Sequence, residues 1–205
     1  MSIWGEETKA AASTPVEIYL RSRGLRLPAD IVTIRFHPRL KHRSGSFWPA
    51  MVGLVTGPDD KPIGIHRTFL ARDGSSKAPV DPNKMMLGPT RGGAVRLAPV
   101  AAKLMVAEGI ETALTVMQAT AWPAWAALST SGMKALVLPE MVKEVVILAD
   151  ADPPGEAAAQ AAGCRWTREG RRVRIARPKG GAKDFNDILL RSIRRTAVSE
   201  FGVRP

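Results

Sequence analysis

The chain has 205 residues, with 30 Lys and Arg against 19 Asp and Glu, for a formal charge of +11. That length allows a sizeable core, and a hydrophobic content of 45% excludes a disordered chain. No apolar run is long enough to span a bilayer, and the single cysteine, Cys164, excludes an internal disulfide and a multi-cysteine zinc ribbon. The stretch Met1-Ser2-Ile3-Trp4-Gly5-Glu6-Glu7 has no signal-peptide pattern, so the expectation is a cytoplasmic protein with no membrane partner. Lys and Arg outnumber acids in both halves. A basic folded chain gathers polyanions, although charge on this scale also serves solubility alone.

In chain order, the first dozen residues are polar and small and read as frayed. Ser13-Thr14-Pro15 predicts a helix start, hydroxyl capping followed by proline in the first turn. Val16, Ile18, Tyr19 and Leu20 supply the apolar side of that helix and Gly24 its stop. From Ile31 the residues become β-rich. Strands are expected over Ile31 to Phe36, Trp48 to Thr56 and Ile63 to Leu70, with Gly57-Pro58-Asp59-Asp60-Lys61 as a hairpin turn. Residues 71–93, rich in Gly, Pro, Ser and Lys, read as a long functional loop, and Ala94 to Leu97 as one more short strand. Residues 1–100 are thus expected to form a small basic α+β unit with an antiparallel sheet.

After Pro99 the rhythm becomes strand–helix–strand. Strands are expected at 103–107, 124–128, 144–149 and 172–176, and helices at 110–120, 132–138, 154–168 and 184–195. Such alternation predicts an α/β fold, a mostly parallel sheet flanked by helices. This second unit occupies residues 101–195 and leaves 196–205 as a tail.

Two acidic motifs fall where apolar strands end. Glu108-Gly109 follows Leu104 to Ala107, and Asp150-Ala151-Asp152 follows Val145 to Ala149. In open α/β sheets the carboxyl ends of the strands line the ligand crevice. Carboxylates converging there repel unless a cation lies between them, and oxygen ligands of this type suit Mg²⁺ or Mn²⁺. Each acid also has a structural reading. Asp152 precedes Pro153-Pro154-Gly155 and reads as an N-cap. Glu108 and Glu111 favour the positive end of the helix they open, and Asp184 reads as a cap for the last helix. Caps alone leave Asp150, directly after a buried strand, unexplained.

The ordered set Glu108-Gly109, then Asp150-x-Asp152, with Ser131-Gly132 between them and Gly155 after, resembles the toprim domain of primases, topoisomerases and some nucleases. Val106 to Leu114 and Lys183-Asp184-Phe185-Asn186-Asp187 are similar to the branch found in phage and plasmid primase-helicase proteins. Lys84 to Pro89 and Gly92 to Val95 resemble the basic subdomain that precedes toprim in those primases. The resemblance implies a Rossmann-like toprim sheet, with Glu108, Asp150 and Asp152 as catalytic and metal-binding residues. Glu108 would be general acid/base or a further ligand. Asp184 and Asp187 would hold a second metal or position Lys183. It further implies that Arg67, Lys84, Arg91, Lys179 and Lys183 contact nucleotide or nucleic acid.

Other basic groups are less specific. Arg172 and Arg174 alternate with Val173 and Ile175 and read as a solvated strand edge. Lys179-Gly180-Gly181-Ala182-Lys183 has glycines that let backbone amides approach phosphate. Arg35, Arg39, Lys41, His42 and Arg43 flank Phe47 and Trp48, a pattern that can hold single strands, while Trp48 reads foremost as core. His37, His42 and His66 are too scattered for zinc.

The leading expectation is a primase-like, Mg²⁺- or Mn²⁺-dependent nucleotidyltransferase. It would make RNA primers from nucleoside triphosphates on single-stranded DNA, with a replicative helicase or zinc-binding partner acting in trans. A toprim nuclease and a non-catalytic nucleic-acid-binding accessory protein are the alternatives. A topoisomerase is disfavoured because the one tyrosine, Tyr19, lies in the first helix rather than at a nucleophile's position.

Overall fold

The computed structural model describes residues 2–5 and 7–201. A short helix α1 (Ser2–Gly5) and strand β1 (Lys9–Ala10) precede helix α2 (Pro15–Ser22). Four strands follow: β2 (Ile34–Lys41), β3 (Phe47–Thr56), β4 (Pro62–Phe69) and β5 (Lys84–Leu87). The remainder runs β6 (Ala94–Arg96), β7 (Lys103–Ala107), α3 (Ile110–Thr120), β8 (Ala124–Ala126), α4 (Thr130–Ala135), β9 (Glu144–Leu148), α5 (Pro153–Arg168), β10 (Arg172–Ala176) and α6 (Phe185–Phe201). Among the described residues no helix is long and apolar enough to cross a membrane.

The caps read from the sequence at Thr14 and Asp152 are in place, and the structure adds one at Ser129. The Thr14 hydroxyl accepts from Val16 N with Pro15 behind it, the Ser129 hydroxyl from Gly132 N, and the Asp152 carboxylate from Gly155 N. Each satisfies an amide that the first helical turn would otherwise leave unpaired.

Five expectations change. The strand expected over Ile31 to Phe36 begins at Ile34 and runs on to Lys41. The described residues among the first dozen form regular structure rather than a frayed end: β1 pairs antiparallel with β2, Lys9 opposite Phe36. The Arg35 guanidinium donates to the Thr8 carbonyl at 2.9 Å and lies 5.5 Å over the Trp4 ring. A two-residue strand draws its stability from its neighbour, so it leaves no periodicity to read. The 71–93 loop contains β5, paired antiparallel with β4 so that Lys84 faces Thr68. The run Lys84-Met85-Met86-Leu87 lacks polar alternation and is bounded by Pro and Gly, which hides an edge strand. The short helix expected at 132–138 is α4, beginning two residues earlier. Finally, α6 continues through Phe201, so 196–201 is helical rather than a tail, and 202–205 lie outside the described residues.

All ten strands belong to one sheet, in the order β1-β2-β3-β6-β8-β7-β9-β10, with β4 and β5 branching from β3. β7, β8, β9 and β10 are mutually parallel where they pair, and the earlier pairings are antiparallel. β4 takes one edge of β3 along residues 50–56. The opposite edge is shared by β2 as far as Gly53 and then by β6 at Val55 and Thr56. β6 in turn pairs antiparallel with β8, so the junction between the two units is itself part of the sheet.

The inner parallel strands β7, β8 and β9 are buried on both faces along most of their length, as a sheet covered on both sides requires, while the edge strand β10 alternates exposed arginines with apolar residues. Met105, Ala107 and Leu148 join α2 and α3 in one core cluster, with Phe185 and Leu189 of α6 packed against it. Leu104, Val106, Val145 and Ile147 join Trp125, Trp166 and the small residues of α5 in another. A third cluster, around Leu40, Val52 and Phe69, is covered by Ile3 and Trp4. Trp48 packs there as well, as its core reading requires.

Arg96 rivets the junction. Its guanidinium bonds the Gly57 carbonyl at 2.7 Å and Asp60 at 2.5 Å in the β3–β4 turn, and it stacks 4.3 Å above Trp125. Trp125 is fully buried and donates its indole N–H to the Ala98 carbonyl at 3.0 Å. Trp125→Ala is therefore expected to destabilise the whole chain by about 3–5 kcal/mol. Urea unfolding should show this as one lowered midpoint with the m-value unchanged, rather than as selective loss of one half.

Candidate active site

β7 and β9 are adjacent and parallel, with Ala107 opposite Leu148. The chain therefore emits Glu108 and Asp150 at the same end of the sheet, one and two residues past that pair. Gly155 keeps the second acidic loop close to α5. A Cβ there would meet Asp152 Oδ1 at 2.9 Å and the Asp150 carbonyl oxygen at 3.2 Å. The third acidic segment arrives from the loop after β10, because Ala151 N donates to the Lys183 carbonyl at 2.9 Å. Asp184 then accepts from Asp187 N at 2.8 Å, and Asp187 from Lys183 N at 3.2 Å. Both acids thus cap the start of α6.

A cavity of about 150 Å³ opens at this end of the sheet. Glu108, Asp150 and Asp184 line it together with Arg23, His66, Lys77, Lys84 and Glu111. Of the residues singled out from sequence, Glu108, Asp150, Asp184 and Lys84 meet here. Asp152 is engaged as the cap of α5 but remains near enough to raise the proton affinity of Glu108 and Asp150. Asp187, Lys179 and Lys183 stand beside the acidic loop rather than in the cavity wall. Arg91 is exposed elsewhere, and Arg67 is buried, donating to the Met86 carbonyl at 3.0 Å. The exposed edge expected for β10 is present in Arg172 and Arg174.

The electrostatics follow from crowding. Burial pushes Asp150 up to about 6, assisted by Glu108, Asp184 and Asp152 and opposed by Lys84. Burial, then Asp152, likewise raises Glu108. Asp150 Oδ1 is buried without a hydrogen-bond partner. Burial, followed by the charge of Lys84, lowers His66 to about 4, so its imidazole is neutral near pH 7. Tyr19 is held well above the ordinary phenol range by burial and by Glu111. It is a hydroxyl donor, not a nucleophile.

Sequence reasoning undervalued Glu111, Lys77, His66, Tyr19 and Arg23. One signal was available: Glu111 is the sole charge in the otherwise uncharged stretch Gly109 to Thr120, and a charge on a buried helix needs partners.

Residues 103–194 match the family model described as a toprim domain. This half of the chain is a toprim domain. Residues 1–97, ahead of the toprim domain, match a domain of unknown function, DUF7146. Two solved structures share the fold of nearly the whole chain. One is the primase fragment of the bacteriophage T7 primase-helicase protein, with a TM-score of 0.58 and 16% identity, covering 96% of this chain and 75% of that one. The other is the Aquifex aeolicus primase fragment with zinc-binding and RNA polymerase domains, with a TM-score of 0.58 and 15% identity, covering 93% of this chain and 57% of that one. No curated protein matches the chain. The toprim domain and the basic unit before it thus resemble, in fold, a primase catalytic core.

The donors fit a hard divalent cation. Among the described residues, no three His, Cys, Asp or Glu side chains are grouped closely enough to hold an ion unaided. Mg²⁺, however, is commonly held by one or two carboxylates, with waters and substrate phosphates completing the shell. Glu108 and Asp150, the latter with a buried oxygen lacking a partner, suit that mode.

A pH dependence follows. Because Asp150 is raised from 3.8 to about 6 in the fold, folding favours its protonated form. That contribution is complete in acid and is lost as pH climbs through about 6. Asp150→Asn mimics the protonated form at every pH. Metal-free Asp150→Asn should therefore melt higher than wild type near neutrality, with the gap closing below the ordinary carboxylate pKa. Melting temperatures measured across that range check it, and a pH-independent gap would contradict the assignment.

Proposed function

We propose that the chain is a primase-type nucleotidyltransferase, joining ribonucleotides into primers on single-stranded DNA with Mg²⁺ or Mn²⁺. The observation that carries the reading is the partnerless buried oxygen of Asp150 in a cavity shared with Glu108 and Lys84. Support comes from the fold likeness to primase fragments and from the divalent metals that toprim domains generally bind. Glu108 and Asp150 would hold the ion, with Asp152 and Asp184 adding negative charge behind them. A bound ion would supply charge stabilisation at the reacting phosphate.

The remaining roles belong to the chain's own groups. Lys84 and Lys77 meet the nucleotide's phosphates from the N-terminal side. Where Glu108 is not engaged on the ion, it would instead take the proton of an attacking hydroxyl. Lys179, Lys183 and Arg91 lie on exposed segments where they would follow the backbone of template or primer. Template reading by a zinc-binding protein, and unwinding by a helicase, would come from partners in trans.

The test is ribonucleotide incorporation on varied single-stranded templates with either metal. Asp150→Asn and Glu108→Gln should each lower the rate by about a hundredfold or more, since metal-assisted charge stabilisation is worth several kcal/mol. No incorporation by folded wild type would sink the proposal. Metal-dependent cleavage of nucleic acid without added nucleotides would assign the site to a nuclease.

A further inference from the structure

Glu111 lies three residues beyond Glu108, in the first turn of α3, yet its carboxylate is turned to a different task. It is 6% exposed and both of its oxygens are engaged. Oε1 accepts from the Tyr19 hydroxyl at 2.7 Å and lies 3.6 Å from Lys77 Nζ. Oε2 accepts from Lys84 Nζ at 3.2 Å. The partners come from three places in the N-terminal half: α2, the segment after β4, and β5.

Two ammonium groups confined in one small cavity repel. Without a counter-ion they would separate toward water, or one would lose its proton. Burial already loosens the hold of Lys77 on its proton, and the charge of Lys84 adds to this. Glu111 overcomes the repulsion by giving each ammonium its own carboxylate oxygen. The Tyr19 hydroxyl, itself fully enclosed, fixes the carboxylate in turn. The four groups form one network across the junction of the halves, and its two ammonium groups face the same cavity as Glu108 and Asp150.

We infer that Glu111 is a positioning residue: it clamps Lys77 and Lys84 side by side as a preset two-ammonium receptor for the polyphosphate of an incoming nucleotide. This rests on the reading of the cavity as a nucleotide site. It makes a prediction about sign that simple charge counting reverses. Removing a negative charge from beside two lysines should tighten the binding of an anion if charge alone matters. If Glu111 sets their geometry, removal should weaken it.

The probe is inorganic tripolyphosphate, titrated calorimetrically into the full chain without divalent ion, template or nucleotide. Wild type should bind it. Glu111→Gln should bind about tenfold more weakly despite the lost negative charge, because misplaced charge-assisted donors forfeit most of their value. Glu111→Asp keeps the charge but shortens the reach, and should show a similar loss. Tyr19→Phe should weaken binding by about threefold, less than the Glu111 variants, because the carboxylate loses the hydroxyl that fixes it but still faces both lysines.

Thermal unfolding identifies the folded variants. If Glu111→Gln does not fold, the other two decide. Unchanged or tighter binding by the folded Glu111 variants, or by Tyr19→Phe where neither of those folds, overturns the inference, as does a wild type that fails to bind. Tripolyphosphate binding in this pattern without primer synthesis would remove the polymerase reading and leave the receptor. Synthesis without the pattern would remove the receptor alone.

Discussion

Two adjacent parallel strands in register must discharge whatever follows them at the same end of the sheet. With Ala107 opposite Leu148, Glu108 and Asp150 have no separate places to go. Burial raises both proton affinities, with Asp152 adding to it at Glu108 and Glu108, Asp184 and Asp152 at Asp150, so the site is electrostatically unfavourable until something positive joins it. Part of that positive charge is built in: Lys84 stands in the cavity wall and opposes the rise of each carboxyl. It comes from β5, a strand of the other half, so the acidic site of the toprim domain is balanced by a residue outside it. Acid and base reach the cavity by different topological routes, and neither half presents the arrangement alone.

The inner parallel strands were legible as apolar runs bounded by turn residues, and β10 by its alternation of arginine with apolar residues, which together make the rhythm of strand and helix after Pro99 visible. The acidic positions were legible for the same reason, since strand ends locate them. Asp152 shows how two readings of one residue coexist. Its side chain caps α5 through Gly155 N at 2.7 Å, and its charge still raises Glu108 and Asp150. A cap at the mouth of a cavity is also part of that cavity's field.

What the sequence concealed shares a different character. Tyr19 and Glu111 are 92 residues apart, and nothing periodic links a hydroxyl on one helix to a carboxylate on another. The same holds for Asn186, fully buried, whose amide bonds the Arg23 carbonyl at 2.8 Å and the Thr115 hydroxyl, tying α6 to α2 and α3. Arg67 illustrates the opposite error. Its neighbour His66 lines the cavity, and because successive side chains on a strand alternate faces, Arg67 is directed to the far side. A basic residue in a basic subdomain suggests a ligand contact, but one step of register decides against it.

The unbroken sheet through β3, β6 and β8 bears on how the cavity opens. Enzymes built from two lobes commonly admit substrate by bending at a linker between them. Here the segment that would serve as linker is itself a strand, hydrogen-bonded on both sides and pinned by Arg96 to a turn of one half and a tryptophan of the other. The walls of the cleft are thus parts of a single plank. Access must depend on the side chains at the rim and on the loops that carry Lys77 and Lys183, so that selectivity for what enters is decided locally, at the scale of a lysine's reach.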